Sequence, residues 1–103
     1  PSNTIIIRGG LEKEQIQKVI NKHLMEIRYC YEKELTRKPN LKGDVGVTFK
    51  IDSNGEINSV DISKSTINDI GVESCLTARI KNWKFPEAAV NSTSKTEFKF
   101  GYN

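Results

Sequence analysis

Glu26-Ile27-Arg28-Tyr29-Cys30-Tyr31-Glu32-Lys33-Glu34-Leu35 is the stretch that decides the fold. It is the second half of a long amphipathic pattern in which Ile16, Val19, Ile20, His23, Leu24, Ile27, Cys30, Tyr31 and Leu35 recur at steps of three and four. That spacing marks one buried stripe of a helix. Glu12 and Glu14 stand at the positive end of the helix dipole, with Arg37 and Lys38 at its negative end. Arg28 and Glu32 make an i,i+4 pair on the outer face. Pro39 disfavours helical geometry at Lys38, so the helix is expected to close there or just before. The stripe puts Cys30 on the buried side.

The second helical pattern carries the other cysteine. Val72, Cys75, Leu76, Ile80 and Trp83 form a stripe of about four turns, stopped by Phe85-Pro86. Ser65-Thr66-Ile67-Asn68-Asp69 precedes it, with Asn68 the expected N-cap. Gly71 costs this helix a little stability. If Cys30 and Cys75 meet, the two helices are riveted together. Cysteine arithmetic leaves two choices open: a pair of buried thiols in a reducing compartment, or one long-range disulfide in an oxidising one.

Between and around the helices the period changes to two. Val45, Val47, Phe49 and Ile51 alternate with small or polar residues, the mark of a half-buried strand. Asp52-Ser53-Asn54-Gly55 follows, and Asn-Gly suits a tight hairpin turn, so Glu56 to about Lys64 is expected to return antiparallel. Ile57 is out of phase with Val60 and Ile62, which predicts a bulge near Asn58-Ser59. Thr96, Phe98, Phe100 and Tyr102 alternate with Glu97, Lys99 and Gly101 as a last strand. Residues 1–10, with Thr4-Ile5-Ile6-Ile7-Arg8 closed by Gly9-Gly10, read as an extended lead-in or short strand before a domain over residues 11–103.

The order (β)αββαβ implies an α+β fold: two helices packed on one face of a small, three- to four-stranded antiparallel sheet. A right-handed crossover through the second helix sets the last strand beside the first hairpin strand. The segment Thr96, Glu97, Phe98, Lys99, Phe100, Gly101, Tyr102 then lies at or next to an open sheet edge. Such an edge accepts an extended partner by strand addition, or is kept inert by lysines such as Lys95 and Lys99.

Composition narrows the function classes. The chain has 103 residues, 36% of them apolar and 28% charged, which suits one globular domain. It opens at Pro1 without an initiator Met and is read as a piece of something longer. No apolar run reaches the roughly 20 residues needed to span a bilayer, and no signal peptide opens it. The net charge is +3, but basic and acidic residues intermingle, whereas a nucleic-acid footprint needs basic residues gathered on one surface.

Neither catalytic nor metal-binding residues emerge. His23 and Cys30 are seven positions apart, roughly 10.5 Å along a helix, where a Cys–His dyad needs about 3 Å. Asp52, Asn54 and Gly55 lack the remaining ligands of a calcium loop and read as a turn. No cofactor is expected.

The tyrosine-flanked Cys30 with Glu34-Leu35, then Pro39-Asn40-Leu41-Lys42-Gly43, Val72-Glu73-Ser74-Cys75 and Trp83-Lys84-Phe85-Pro86, closely resembles the AgmX/PglI-type C-terminal domain, a relative of the TonB C-terminal domain. The likeness runs from about Gly10 to Phe100, with one departure: Glu97 precedes Phe98 where the family commonly has proline. It implies a Cys30–Cys75 disulfide and core roles for Tyr31, Trp83, Phe85 and Pro86. It further implies a non-enzymatic periplasmic domain of an inner-membrane-anchored protein. Relatives of this kind dock extended segments of envelope proteins in energy transduction, transport or gliding motility. The alternatives are a structural cap docking through helix faces and a thiol-based enzyme or sensor using Cys30.

Overall fold

Val45, Val47, Phe49 and Ile51 are all buried, so their alternation gives the sheet one apolar face for the helices to cover. The computed structural model describes residues 4–8, 13–87 and 93–100. In chain order these form β1 (Thr4–Arg8), α1 (Lys13–Lys22), α2 (Leu24–Leu35), β2 (Gly43–Ile51), β3 (Ile57–Ser65), α3 (Ile70–Ile80) and β4 (Thr93–Phe100). The strands make one sheet in the order β1-β4-β2-β3, antiparallel throughout. The expected α+β class is therefore what folds, and β4 lies beside β2 as the crossover requires.

One apolar cluster joins the layers. Ile16, Ile20, Ile27 and Tyr31 meet Val72, Leu76 and Ile80 over Val47, Phe49, Phe98 and Phe100. Each fully buried side chain of this size contributes about 1.5–3 kcal/mol relative to exposure, so the cluster is the main cohesive term.

Three local expectations are corrected. The stripe from Ile16 to Leu35 is two helices, because the chain turns at His23. There the His23 N–H bonds the Ile20 carbonyl at 2.9 Å, a tight three-residue step in place of an α-turn. The ring holds the break: it stacks on Trp83 with centroids 4.7 Å apart, and Nδ1 meets the Glu26 carboxylate. Ile20 before the bend and Ile27 after it both stay buried. The cap of α3 is Asp69, not Asn68: Asp69 Oδ2 accepts the Val72 N–H at 3.1 Å, while Asn68 adopts a positive φ of 49°. Finally, α3 ends at Ile80, and Trp83 is buried from the tail beyond it.

The hairpin forms where expected. Asp52 Oδ1 accepts the N–H groups of Asn54 (2.8 Å) and Glu56 (3.0 Å), and Gly55 takes φ 81°. That is a loop closed by one left-handed glycine rather than a turn with two positive φ angles. Register puts Ser59 opposite Lys50 and Ile57 opposite Ile51, leaving Asn58 as the predicted bulge. A second bulge, at Ser63, has no counterpart in the sequence reading.

Candidate partner-docking strand

Along β4, Thr96, Phe98 and Phe100 are buried, and in register they stand opposite Val47, Val45 and Gly43 of β2. Phe100 is fixed from above by Tyr31, whose ring stacks on it with centroids 4.8 Å apart. The Tyr31 hydroxyl donates to the Leu41 carbonyl at 2.5 Å, tying α2 to the loop that enters β2. The tyrosine after Cys30 is thus a core residue with a hydrogen-bonded tip. Trp83 and Phe85 are core residues too, packed around Phe49 at centroid distances of 6.4 and 5.7 Å. Pro86 is exposed, which corrects its expected core role. Its neighbour Phe85 supplies the order there, donating its backbone N–H to the Gly55 carbonyl at 2.7 Å.

The expected open edge over Thr96, Glu97, Phe98, Lys99, Phe100, Gly101 and Tyr102 is overturned. β4 is an inner strand with β2 on one side and β1 on the other. Thr4 stands in register with Lys99, Ile5 with Phe98, Ile6 with Glu97, Ile7 with Thr96 and Arg8 with Lys95. Gly101 and Tyr102 lie outside the described residues. The physical reason is that unpaired N–H and C=O groups on β1 and on β4 are both satisfied when the two strands join. The rims of the sheet are therefore the outer sides of β1 and β3. They differ in quality: β3 is bulged twice against β2, whereas the β1–β4 and β4–β2 ladders run without a register shift. Bulges make a strand a poor template for a further one.

Thr96 adds an anomaly. Its Oγ1 is buried without a hydrogen-bond partner among the described residues, as is Trp83 Nε1. Most buried hydroxyls find a partner, so an orphan in mid-sheet calls for a reason.

The cysteines are joined. Cys30 and Cys75 form a disulfide with Cα atoms 5.5 Å apart, bridging α2 and α3 across 45 positions. Closing a loop of that length stabilises the fold by about 4 kcal/mol in the chain-entropy model. Among the described residues no free cysteine remains, so Cys30 as it stands is not a nucleophile.

A charged cluster reinforces the same helix pair. Lys38 reaches the carboxylate of buried Asp69, while Arg37 and Lys33 flank buried Glu34. Hydrogen bonding to Arg37, then Lys33, holds the Glu34 carboxyl below the usual range, and Lys38 does the same for Asp69. Glu34 also explains Gly71: a Cβ there would lie 2.6 Å from the Glu34 carboxyl carbon. Neither contact is visible from periodicity, since Glu34 sits one place off the apolar stripe.

On the outer face of α2, Met25 and Tyr29 are 77% and 51% exposed one turn apart, with the Arg79 guanidinium 5.2 Å from the Tyr29 ring centre. Among the described residues no group of three or more His, Cys, Asp or Glu side chains is placed to hold a metal, and no helix is long and apolar enough to cross a membrane. No protein-family model matches the chain, and neither curated proteins nor solved structures give a significant match.

Proposed function

We propose that this chain is a non-enzymatic periplasmic protein-interaction domain, TonB-like in kind, belonging to a protein anchored in the inner membrane. It docks an extended segment of an envelope partner by strand addition, in a system for energy transduction, transport or gliding motility. The observation that carries this reading is β1: the sheet holds a five-residue extended segment along β4 as an antiparallel strand. A surface that receives one such segment has the geometry to receive another, with backbone bonds supplying affinity and side chains the choice. The sequence resemblance supports the same class, and a disulfide between α2 and α3 suits an oxidising compartment.

The test is chemical-shift mapping of the folded chain with peptides drawn from extended segments of envelope proteins. Strand addition perturbs the amides of Thr4–Arg8 and Thr93–Phe100. A second reading, a structural cap that docks through a helix face, is favoured by the exposed Met25 and Tyr29. Shifts confined to the outer face of α2 would replace the first reading with the second.

A further inference from the structure

What kind of segment this sheet selects follows from how β1 fits, and fails to fit, its place. Phe98 has an aliphatic residue in register on either side, Val45 on β2 and Ile5 on β1. That ladder is chemically matched. Thr96 is flanked in register by Val47 and Ile7, and its buried Oγ1 has no hydrogen-bond partner among the described residues. Neither valine nor isoleucine has a side chain that can hydrogen-bond, whereas directly opposed Thr–Thr and Thr–Ser pairs do so across antiparallel strands. At the end of the ladder Arg8 stands in register with Lys95, so one register position holds two basic residues where residue types of opposite charge are the favoured combination. Two of the five register positions of β1 are therefore second-best.

We propose that β1 is a stand-in for a partner strand. The preferred partner reads aliphatic–any–Ser/Thr–Asp/Glu at the places held by Ile5, Ile6, Ile7 and Arg8. The inference rests on the strand-addition reading above and adds the partner's chemistry to it. Exchange of one antiparallel strand for another leaves the backbone hydrogen bonds of β4 unchanged in number. The difference is made by side chains: one new hydrogen bond to Thr96 Oγ1, and an acid opposite Lys95 in place of a base. Exchange therefore favours a segment of that composition over β1 itself, and disfavours segments without it.

The experiment titrates the whole chain with two synthetic peptides, followed by amide shifts of residues 93–100. One peptide repeats Ser2-Asn3-Thr4-Ile5-Ile6-Ile7-Arg8-Gly9, and the other has threonine in place of Ile7 and glutamate in place of Arg8. The substituted peptide is expected to bind about tenfold more tightly, the combined worth of one net hydrogen bond and one better-matched cross-strand position. Thr96→Val removes the part of that advantage owed to threonine. Cross-linking β1 to β4 through Thr4→Cys with Lys99→Cys blocks both peptides. Equal affinities would overturn the proposed chemistry and leave strand addition standing. Binding that survives the cross-link would overturn the stand-in role of β1. Absence of binding by either peptide, both to the unaltered chain and to the Ile6→Pro/Ile7→Pro variant, in which one N–H that faces β4 is lost, would sink strand addition itself.

Discussion

Gly71 illustrates how a residue can look like a defect until its neighbour is known. A glycine inside a helix is ordinarily a loss of about 1 kcal/mol against alanine, so Gly71→Ala ought to stabilise α3. In this fold an added Cβ would stand within 3 Å of all three atoms of the Glu34 carboxylate, which is itself buried and paired with Arg37 and Lys33. Gly71→Ala is therefore expected to destabilise the domain by about 1–3 kcal/mol in urea unfolding, as overpacking does. In a background already carrying Glu34→Ala the same change should turn neutral or favourable, a coupling that a double-mutant cycle reads directly. Thr96 argues the opposite case. Replacing its orphan hydroxyl by a methyl, as Thr96→Val does, keeps the shape and removes a desolvated group, so stability should hold or rise by up to about 1 kcal/mol. A fall of more than that would mean the hydroxyl is satisfied in solution.

The helices and the hairpin were legible because their signals are local. Ile16, Ile20, Ile27 and Tyr31 are buried as the three-and-four spacing requires, and the phase slip at Ile57 marks the bulge at Asn58. What escaped depends on partners distant in sequence. The bend at His23 depends on Trp83, sixty positions later, and the cap chose Asp69 over Asn68 because Lys38 and Val72 converge on it. That cap makes the α2–α3 junction sensitive to acid. The Glu34 and Asp69 carboxyls are both held below their ordinary pKa in the folded state, so each binds its proton more readily when unfolded. Their stabilisation is complete above the ordinary carboxylate pKa of about 4 and is lost as pH falls through the lower folded values. Thermal unfolding should show Tm falling below about pH 4. Asp69→Asn keeps a capping side chain but removes the charge facing Lys38, so its Tm should be lower near neutrality and fall less steeply in acid. Reduction of the Cys30–Cys75 bridge acts on the same helix pair and should cost about 2–5 kcal/mol, measured by urea unfolding with and without reductant.

At the scale of the whole molecule, the sheet order is where sequence reading ran out, and β1 is the reason. Ile5-Ile6-Ile7 carries no alternation to announce a face, and its pairing with β4 closes a chain separation of about 90 residues, for which no local pattern exists. With β1 left out, β4 reads as a rim; with β1 present, it is an inner strand flanked on both sides. The distinction has a direct readout, because successive N–H groups along an inner antiparallel strand point to alternate neighbours. Between Lys95 and Lys99, where β4 has both neighbours, the amides are therefore protected alternately by β2 and by β1. Ile6→Pro together with Ile7→Pro removes two successive N–H groups of β1, one of which must face β4, so the pair weakens that ladder without touching the β2 side. Hydrogen exchange in this variant should accelerate at alternate residues from Lys95 to Lys99 while the residues between them keep their protection, and α2, α3 and β2 should remain as slow as before. Uniform acceleration along β4 would mean that β1 holds up the whole sheet rather than covering one flank. Unchanged exchange would mean that β1 and β4 are not paired in solution, and the proposed docking flank would then already be open.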